Sequence, residues 1–174
     1  MRLLAILIGL LAACEAHNRT SRILSAANAD HIDLESISLL ADALASIQAI
    51  YDRTNTTLPS GIAEGSIVDV HAHVVPPWYR TLVPSTGQSP TPAWSLETHL
   101  NFMAGAGIKH GVLSIGTPGS VVFPGSRVKS AALARLLNEY LAAVNCILSE
   151  LVVNGGLTRR SSPTNPQTSS RSSR

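Results

Sequence analysis

Charged and aromatic side chains are both scarce in this chain. Asp, Glu, Lys and Arg make up 14% of the 174 residues, and Phe, Trp and Tyr make up 4%. The formal net charge is only +2. Four of the arginines lie in an acid-free final segment, which leaves a formal charge of −2 for the rest of the chain. This balance excludes a strongly basic surface, so we expect no nucleic-acid partner.

The long apolar run at the start of the chain is too short to span a membrane. Met1-Arg2 precede eleven apolar residues, from Leu3 to Ala13, whereas a membrane-spanning helix needs about 20. Small residues at Cys14 and Ala16 then suit cleavage after Ala16. The pattern predicts a secretory signal peptide over residues 1–16, a secreted protein and no stable membrane anchor.

Two further features bear on the export route. Leu11-Ala12-Ala13-Cys14 resembles the lipoprotein box of bacteria, in which the cysteine is lipidated. The sequons beginning at Asn18 and Asn55 instead favour a eukaryotic secretory route and predict N-glycosylation at both positions. Both alternatives stay open from the sequence.

Cysteine is limited to Cys14 and Cys146. Cleavage after Ala16 would remove Cys14, so the sequence predicts an unpaired Cys146 without an intrachain disulfide. We expect Cys146 to be a small helix residue that faces the core rather than a reactive thiol.

Residues 17–65 are predicted to form a helical extension and a linker that precede the main domain. Apolar residues recur at steps of three and four between Asp33 and Arg53, with Asp33 as the expected N-cap. They are Ile37, Leu40, Leu44, Ile47 and Tyr51. Residues 54–65 are rich in Thr, Pro, Ser and Gly, which is typical of a linker.

The segment from Ile67 to His73 alternates as a β-strand and ends in two histidines. Residues i and i+2 of a strand point to the same side, so His71 and His73 offer two imidazoles to one metal ion. Pro76 and Pro77 then end the strand. The alternative is a pair of histidines that only cap a strand end.

The following pattern predicts alternating helices and strands. A loop at 81–92 precedes a helix from Ser95 to about Ala106, a strand at 111–116 and a long helix from about Ser126 to Val153. The βαβα order predicts an α/β fold with a parallel sheet over residues 66–153. Residues 154–174 contain no apolar period and are predicted to be a disordered tail.

Several blocks occur in order along this segment: Val68-Asp69-Val70-His71-Ala72-His73 with Pro76-Pro77, the run from Pro92 to Leu100, Gly107-Ile108, Leu113-Ser114-Ile115 with Pro118-Gly119, and the run from Ala134 to Tyr140. Together they resemble the amidohydrolase-related decarboxylases, most closely those acting on 6-methylsalicylate or on aminocarboxymuconate semialdehyde. The resemblance covers roughly residues 66–145.

The resemblance implies a metal-dependent, non-oxidative decarboxylase whose substrate is a small aromatic or muconate-type carboxylic acid. It implies that His71 and His73 bind one divalent ion, typically zinc, at the first strand of a TIM barrel. It places residues 78–92 at the substrate-binding mouth of the barrel. From their positions, we expect Arg80 and Trp94 to contact substrate; the alternatives are a solvated arginine and a packed indole.

The chain departs from this family in length. A TIM barrel needs about 250 residues and eight strands, so the sequence predicts only the first β/α units of an incomplete barrel. His110 is expected at the opposite end of the sheet from His71, and His99 on the outer surface of a helix, so neither supplies a third ligand. We expect the chain alone to bind metal weakly and to be inactive.

Two other functions are compatible with the sequence. A non-catalytic secreted fragment would use its apolar helices or open strand edges to bind a partner or a second copy of itself. The third hypothesis is a metal-dependent hydrolase of the amidohydrolase superfamily, which would act on esters or lactones.

Overall fold

The computed structural model describes residues 19–53, 66–83 and 91–157, with side chains described as far as Leu148. The elements are α1 (Arg19–Ala29), a 3₁₀ turn (Leu34–Ser36), α2 (Leu40–Tyr51), β1 (Ile67–Val74), α3 (Pro77–Arg80), α4 (Leu96–Ala106), β2 (Ile108–Ile115) and α5 (Arg127–Leu157). The predicted signal peptide, the asparagines of both sequons, residues 54–65 and residues 158–174 lie outside the described residues.

β1 and β2 form a parallel pair joined by a connection that contains α4. This pair confirms the prediction of an α/β fold with a parallel sheet. β2 begins at Ile108, three residues before the predicted start at Gly111. The early start pairs Ile108 with Ile67 and buries its side chain.

The pairing between the two strands slips near the histidines. Asp69 pairs with Gly111, but the next paired positions are Ala72 and Leu113. Three steps along β1 therefore match two steps along β2, so β1 carries one extra residue at this point. Such irregularities bend a strand and redirect its side chains, and this one lies beside His71.

The helix predicted over Asp33–Arg53 is confirmed over Leu40–Tyr51, and the prediction is wrong for the residues before Leu40. The hydroxyl of Ser36 donates to the backbone carbonyl of Asp33 at 2.7 Å. Ile37 then adopts an extended conformation with φ −99° and ψ 116°. The side-chain hydrogen bond competes with the helical backbone pattern, so the helix starts only at Leu40. Asp33 makes no capping bond through its side chain.

Helix α1 was not predicted. Its buried residues are Ile23 and Ala27, which lie one turn apart. The apolar residues of α1 are Ile23, Leu24 and three alanines, which produce only a weak apolar period. The ion pair between Asp30 and Arg135, with 2.7 Å between Asp30 Oδ2 and the nearer guanidinium nitrogen, connects the end of α1 to α5.

One hydrophobic cluster joins the N-terminal helices to the β/α segment. Helix α2 packs against α5, and the 3₁₀ turn contacts the same helix. The α5 residues of this cluster are Ala132, Leu133, Leu136, Leu137, Tyr140, Ala143, Val144 and Ile147. Burial of these side chains from both segments is the main stabilising contribution to the packing.

Helix α4 has the predicted ends. The Thr98 backbone N–H donates to Ser95 Oγ at 3.1 Å, as expected for an N-cap serine. At the other end Gly107 has φ +67°, a left-handed conformation that glycine adopts without strain. The predicted start and end of α4 are therefore both confirmed.

Helix α5 continues to Leu157, so the predicted end at Val153 is wrong. Asn and Gly each disfavour a helix by no more than about 1 kcal/mol relative to Ala, which is too little to force an end at residues 154–156. The segment Arg127–Leu148 is long and apolar enough to span a membrane. Its buried residues pack in the hydrophobic cluster.

Cys146 is disulfide-bonded in the structure. The disulfide belongs to the 174-residue chain, which contains Cys14, whereas an unpaired Cys146 was predicted for a chain cleaved after Ala16 and stays a prediction for that form. Cys14 is the other cysteine of the sequence and lies outside the described residues. Cys146 does pack against the hydrophobic cluster, as predicted for a core-facing helix residue.

Candidate functional site

The two histidines of β1 converge on one point at the surface. His71 Nε2 and His73 Nε2 lie 3.1 Å apart, and their ring centroids are separated by 4.7 Å with an interplanar angle of 78°. Both residues are exposed. At this distance one Nε2 donates a proton to the other, so the pair forms a hydrogen bond whose direction depends on the tautomers.

This spacing also suits a shared metal ion. Two imidazole nitrogens that each lie about 2.0–2.1 Å from a tetrahedral zinc ion are about 3.3 Å apart. The 3.1 Å observed between the Nε2 atoms is close to that value. Imidazole nitrogen is a preferred ligand of zinc and similar borderline ions. The donor type and the spacing of His71 and His73 therefore fit one divalent ion.

Strand β2 supports the ring of His73. The Oγ of Ser114 lies 3.0 Å from His73 Nδ1, and His73 pairs with Ser114 in the sheet register. Gly116 lies beneath the same ring, since a Cβ built there would be 3.5 Å from His73 Cγ. The sequence did not single out Ser114, because nothing in one chain reveals which residue a parallel neighbour places opposite a histidine.

Asp69 fixes the backbone at His71. Its Oδ1 accepts a hydrogen bond of 3.0 Å from the His71 backbone N–H. This local bond occurs where the pairing of β1 with β2 slips, between Asp69 and Ala72. The Asp69 side chain thus gives the His71 N–H a partner at the irregular part of the ladder.

His99 is half-buried, not on the outer surface of α4 as predicted. Its ring centroid lies 5.9 Å from that of Trp94, and its Nε2 is buried without a hydrogen-bond partner. Burial lowers the pKa of His99, and the Asp69 carboxylate opposes this change. The packing against Trp94 explains the burial.

The described residues contain no cluster of three or more His, Cys, Asp or Glu side chains arranged for a metal. His110 pairs with Val68 near the start of β1, so it lies toward the other end of the sheet, as expected. Within the described ranges, the candidate metal centre therefore consists of His71 and His73.

Arg80 and Trp94 occupy different surroundings from each other. Arg80 is exposed at the end of α3, and its Nε donates to the Thr91 carbonyl at 2.8 Å. Trp94 packs edge to face with Tyr140, with 6.2 Å between ring centroids. This is the packed indole considered as the alternative from sequence, while the substrate role of both residues stays a prediction.

The segment after β1 is tied to the segment after β2. Trp78 and Tyr79 are buried in the core, and the Tyr79 hydroxyl donates to the Gly119 carbonyl at 2.9 Å. Burial raises the pKa of Tyr79, and the bond to Gly119 opposes this change. Both segments follow the carboxyl ends of their strands, the end of a parallel sheet where ligands bind in open α/β folds.

Sequence similarity connects this chain to fungal decarboxylases. Decarboxylase macB of Penicillium terrestre is 38% identical over 77 residues, which cover 42% of this chain and 23% of that protein. Decarboxylase yanB of Aspergillus niger is 34% identical over 82 residues, which cover 45% of this chain and 22% of that protein. Both relatives are named as decarboxylases.

The matched segment spans less than a quarter of the length of either relative. No family model matches the chain. No solved structure matches it either.

Proposed function

We propose that His71 and His73 form part of the metal centre of a non-oxidative decarboxylase. The observation that carries this proposal is the 3.1 Å separation of the two Nε2 atoms on one exposed strand. The similarity to the two fungal decarboxylases supports the reaction class. The proposed substrate is a small aromatic carboxylic acid resembling 6-methylsalicylate, or a muconate-type acid. The proposed fold is the first β/α units of a TIM barrel.

The two imidazoles would hold a divalent ion, with zinc as the proposed metal. Such an ion supplies Lewis-acid chemistry, which suits a substrate carboxylate or an adjacent hydroxyl. Asp69 holds the backbone of His71, and Ser114 contacts the ring of His73. Ser114 would thus orient the ring of His73, while Asp69 would fix the backbone from which the side chain of His71 projects.

Arg80 is the proposed partner of the substrate carboxylate. The Nε of Arg80 donates to the Thr91 carbonyl. The two terminal nitrogens of the guanidinium group could then donate to the carboxylate of the substrate. Trp94 is proposed to shape the apolar wall of the substrate site through its ring.

The protein is further proposed to enter the secretory pathway.

Zinc binding by the 174-residue chain tests the metal centre. Calorimetric titration is expected to show weak binding in the wild type, because zinc sites with two protein ligands lack the usual third or fourth ligand. His71→Ala and His73→Ala are each expected to abolish it. His110→Ala is the matched control, since His110 is also an exposed histidine of the sheet and should leave binding unchanged. Equal binding by all four proteins would overturn the proposed centre.

Turnover is tested with the product of the longest transcript that contains residues 66–145. Purified with zinc and supplied with 6-methylsalicylate, it is expected to release carbon dioxide, and His71→Ala is expected to abolish release. A chelator should also stop the reaction, and added zinc should restore it. Absence of release from the zinc-loaded wild type with aromatic and muconate-type acids would contradict the proposed activity.

A non-catalytic interaction protein is the second candidate, favoured by exposed apolar side chains on the sheet. Val70 is 74% exposed and Val112 is 57% exposed, and the described sheet has two strands with open outer edges. Size-exclusion chromatography with light scattering separates the candidates: a stable monomer argues against the interaction role. Hydrolysis of esters or lactones without decarboxylation would instead favour the hydrolase alternative.

A further inference from the structure

Ser114 contacts the candidate metal centre from the neighbouring strand. Its Oγ is 3.0 Å from His73 Nδ1, the ring nitrogen that faces away from His71, because the Nε2 of His73 approaches His71. The hydroxyl and the neighbouring imidazole therefore engage opposite nitrogens of one ring. The state of Nδ1 then determines what Nε2 offers, since a neutral imidazole carries one proton.

We propose that Ser114 is a positioning residue, whose Oγ accepts the Nδ1 proton of His73 and so presents an unprotonated Nε2 to the metal. This inference rests on the proposed metal centre. A metal-bound histidine commonly donates its other ring N–H to an oxygen acceptor, and that bond fixes both the tautomer and the ring orientation. A serine hydroxyl, which accepts as well as donates, can fill this role.

The pairing of β1 with β2 sets the contact between His73 and Ser114. His73 and Ser114 are register partners in β1 and β2, so the hydrogen bond is built on the parallel pairing rather than on a loop. Gly116 follows the last residue of β2, and a Cβ built at Gly116 would lie 3.5 Å from Cγ of the same ring. Ser114 thus contacts the Nδ1 edge of the imidazole, and any side chain at residue 116 would contact the same ring.

A matched pair of substitutions isolates the hydroxyl. Ser114→Thr keeps the oxygen, whereas Ser114→Val replaces it with a methyl group in a side chain of nearly the same shape, and both β-branched residues suit a strand. Zinc titration of the 174-residue chain is expected to show near wild-type affinity for the threonine variant. The valine variant is expected to bind about ten- to hundred-fold more weakly, the usual cost of losing such a supporting partner.

Nitrogen NMR of the metal-free chain shows which ring nitrogen of His73 carries the proton. This tautomer would not change if Ser114 served only to stabilise the fold. With ¹⁵N-labelled histidine, the wild type and Ser114→Thr are expected to show a protonated Nδ1 and an unprotonated Nε2 in His73. Ser114→Val is expected to lose this preference. Thermal unfolding of the three proteins checks that the fold is retained.

The outcomes separate this inference from the proposed function. If zinc binding depends on His71 and His73 but is equal in the threonine and valine variants, Ser114 does not position His73 and the metal centre stands. A wild-type His73 protonated at Nε2 would also overturn the inference alone. If the wild type shows no zinc binding that depends on the two histidines, the metal centre and the role of Ser114 both fail.

Discussion

The hydroxyl of Tyr79 donates a hydrogen bond of 2.9 Å to the carbonyl of Gly119. The two residues are 40 positions apart and follow β1 and β2, respectively. Because the side chain of Tyr79 is buried, this bond joins the two segments in an environment where a lost partner is costly. It therefore links the segment that carries Arg80 to the turn after β2.

Tyr79→Phe is expected to destabilise the fold by about 0.5–1.5 kcal/mol, since it removes the bond but retains the ring. Urea unfolding followed by circular dichroism measures the change. Tyr79→Leu is the companion variant and should lose more stability, because it also reduces the buried area. Equal stability of Tyr79→Phe and the wild type would show that the bond contributes nothing.

The buried His99 is expected to make stability depend on pH. Burial holds its pKa below the usual 6.5, so the unfolded chain binds a proton at a higher pH than the folded chain does. Stability contributed by neutral His99 is present above about pH 6.5 and is lost as the pH falls through the lowered folded pKa.

His99→Gln removes this titration. The difference in melting temperature between wild type and variant is expected to be constant above about pH 7 and to shrink or reverse below pH 6.5. Calorimetric melting across this range measures the difference. Parallel pH profiles for the two proteins would contradict the assignment, and His110→Gln serves as the exposed-histidine control.

Helix α4 depends on its N-cap. Ser95→Ala removes the acceptor of the Thr98 backbone N–H and is expected to destabilise the protein by about 1 kcal/mol. Ser95→Asp retains an acceptor and should remain close to the wild type. Denaturant unfolding compares the variants, and no loss in the alanine variant would mean that water or another group satisfies this amide equally well.

The strand and the histidine pair were predictable from sequence because they depend on local periods. Alternation brings His71 and His73 to one side of β1, and the α4 ends follow from Ser95 and Gly107. The parallel sheet followed from the order of elements. These signals are contained within short windows, which is why one sequence sufficed.

Contacts between distant residues were not predictable in the same way. Ser114 is recognisable only after the strands are paired, and the one-residue slip near His71 changes that pairing. The helix break at Ile37 was not predicted because the apolar spacing continues through it. The hydrogen bond from Ser36 to the Asp33 carbonyl accompanies the break. The burial of His99 was missed because the position of Trp94 beside it depends on tertiary packing.

The packing of α2 on α5 has a consequence for any shortened form of the protein. A polypeptide that began at residue 66 would retain both strands and the histidine pair, yet it would expose the apolar surface of α5 against which α2 packs. Exposed apolar stripes of this kind promote association. Helix α2 therefore shields apolar surface of the part of the chain that carries the candidate site.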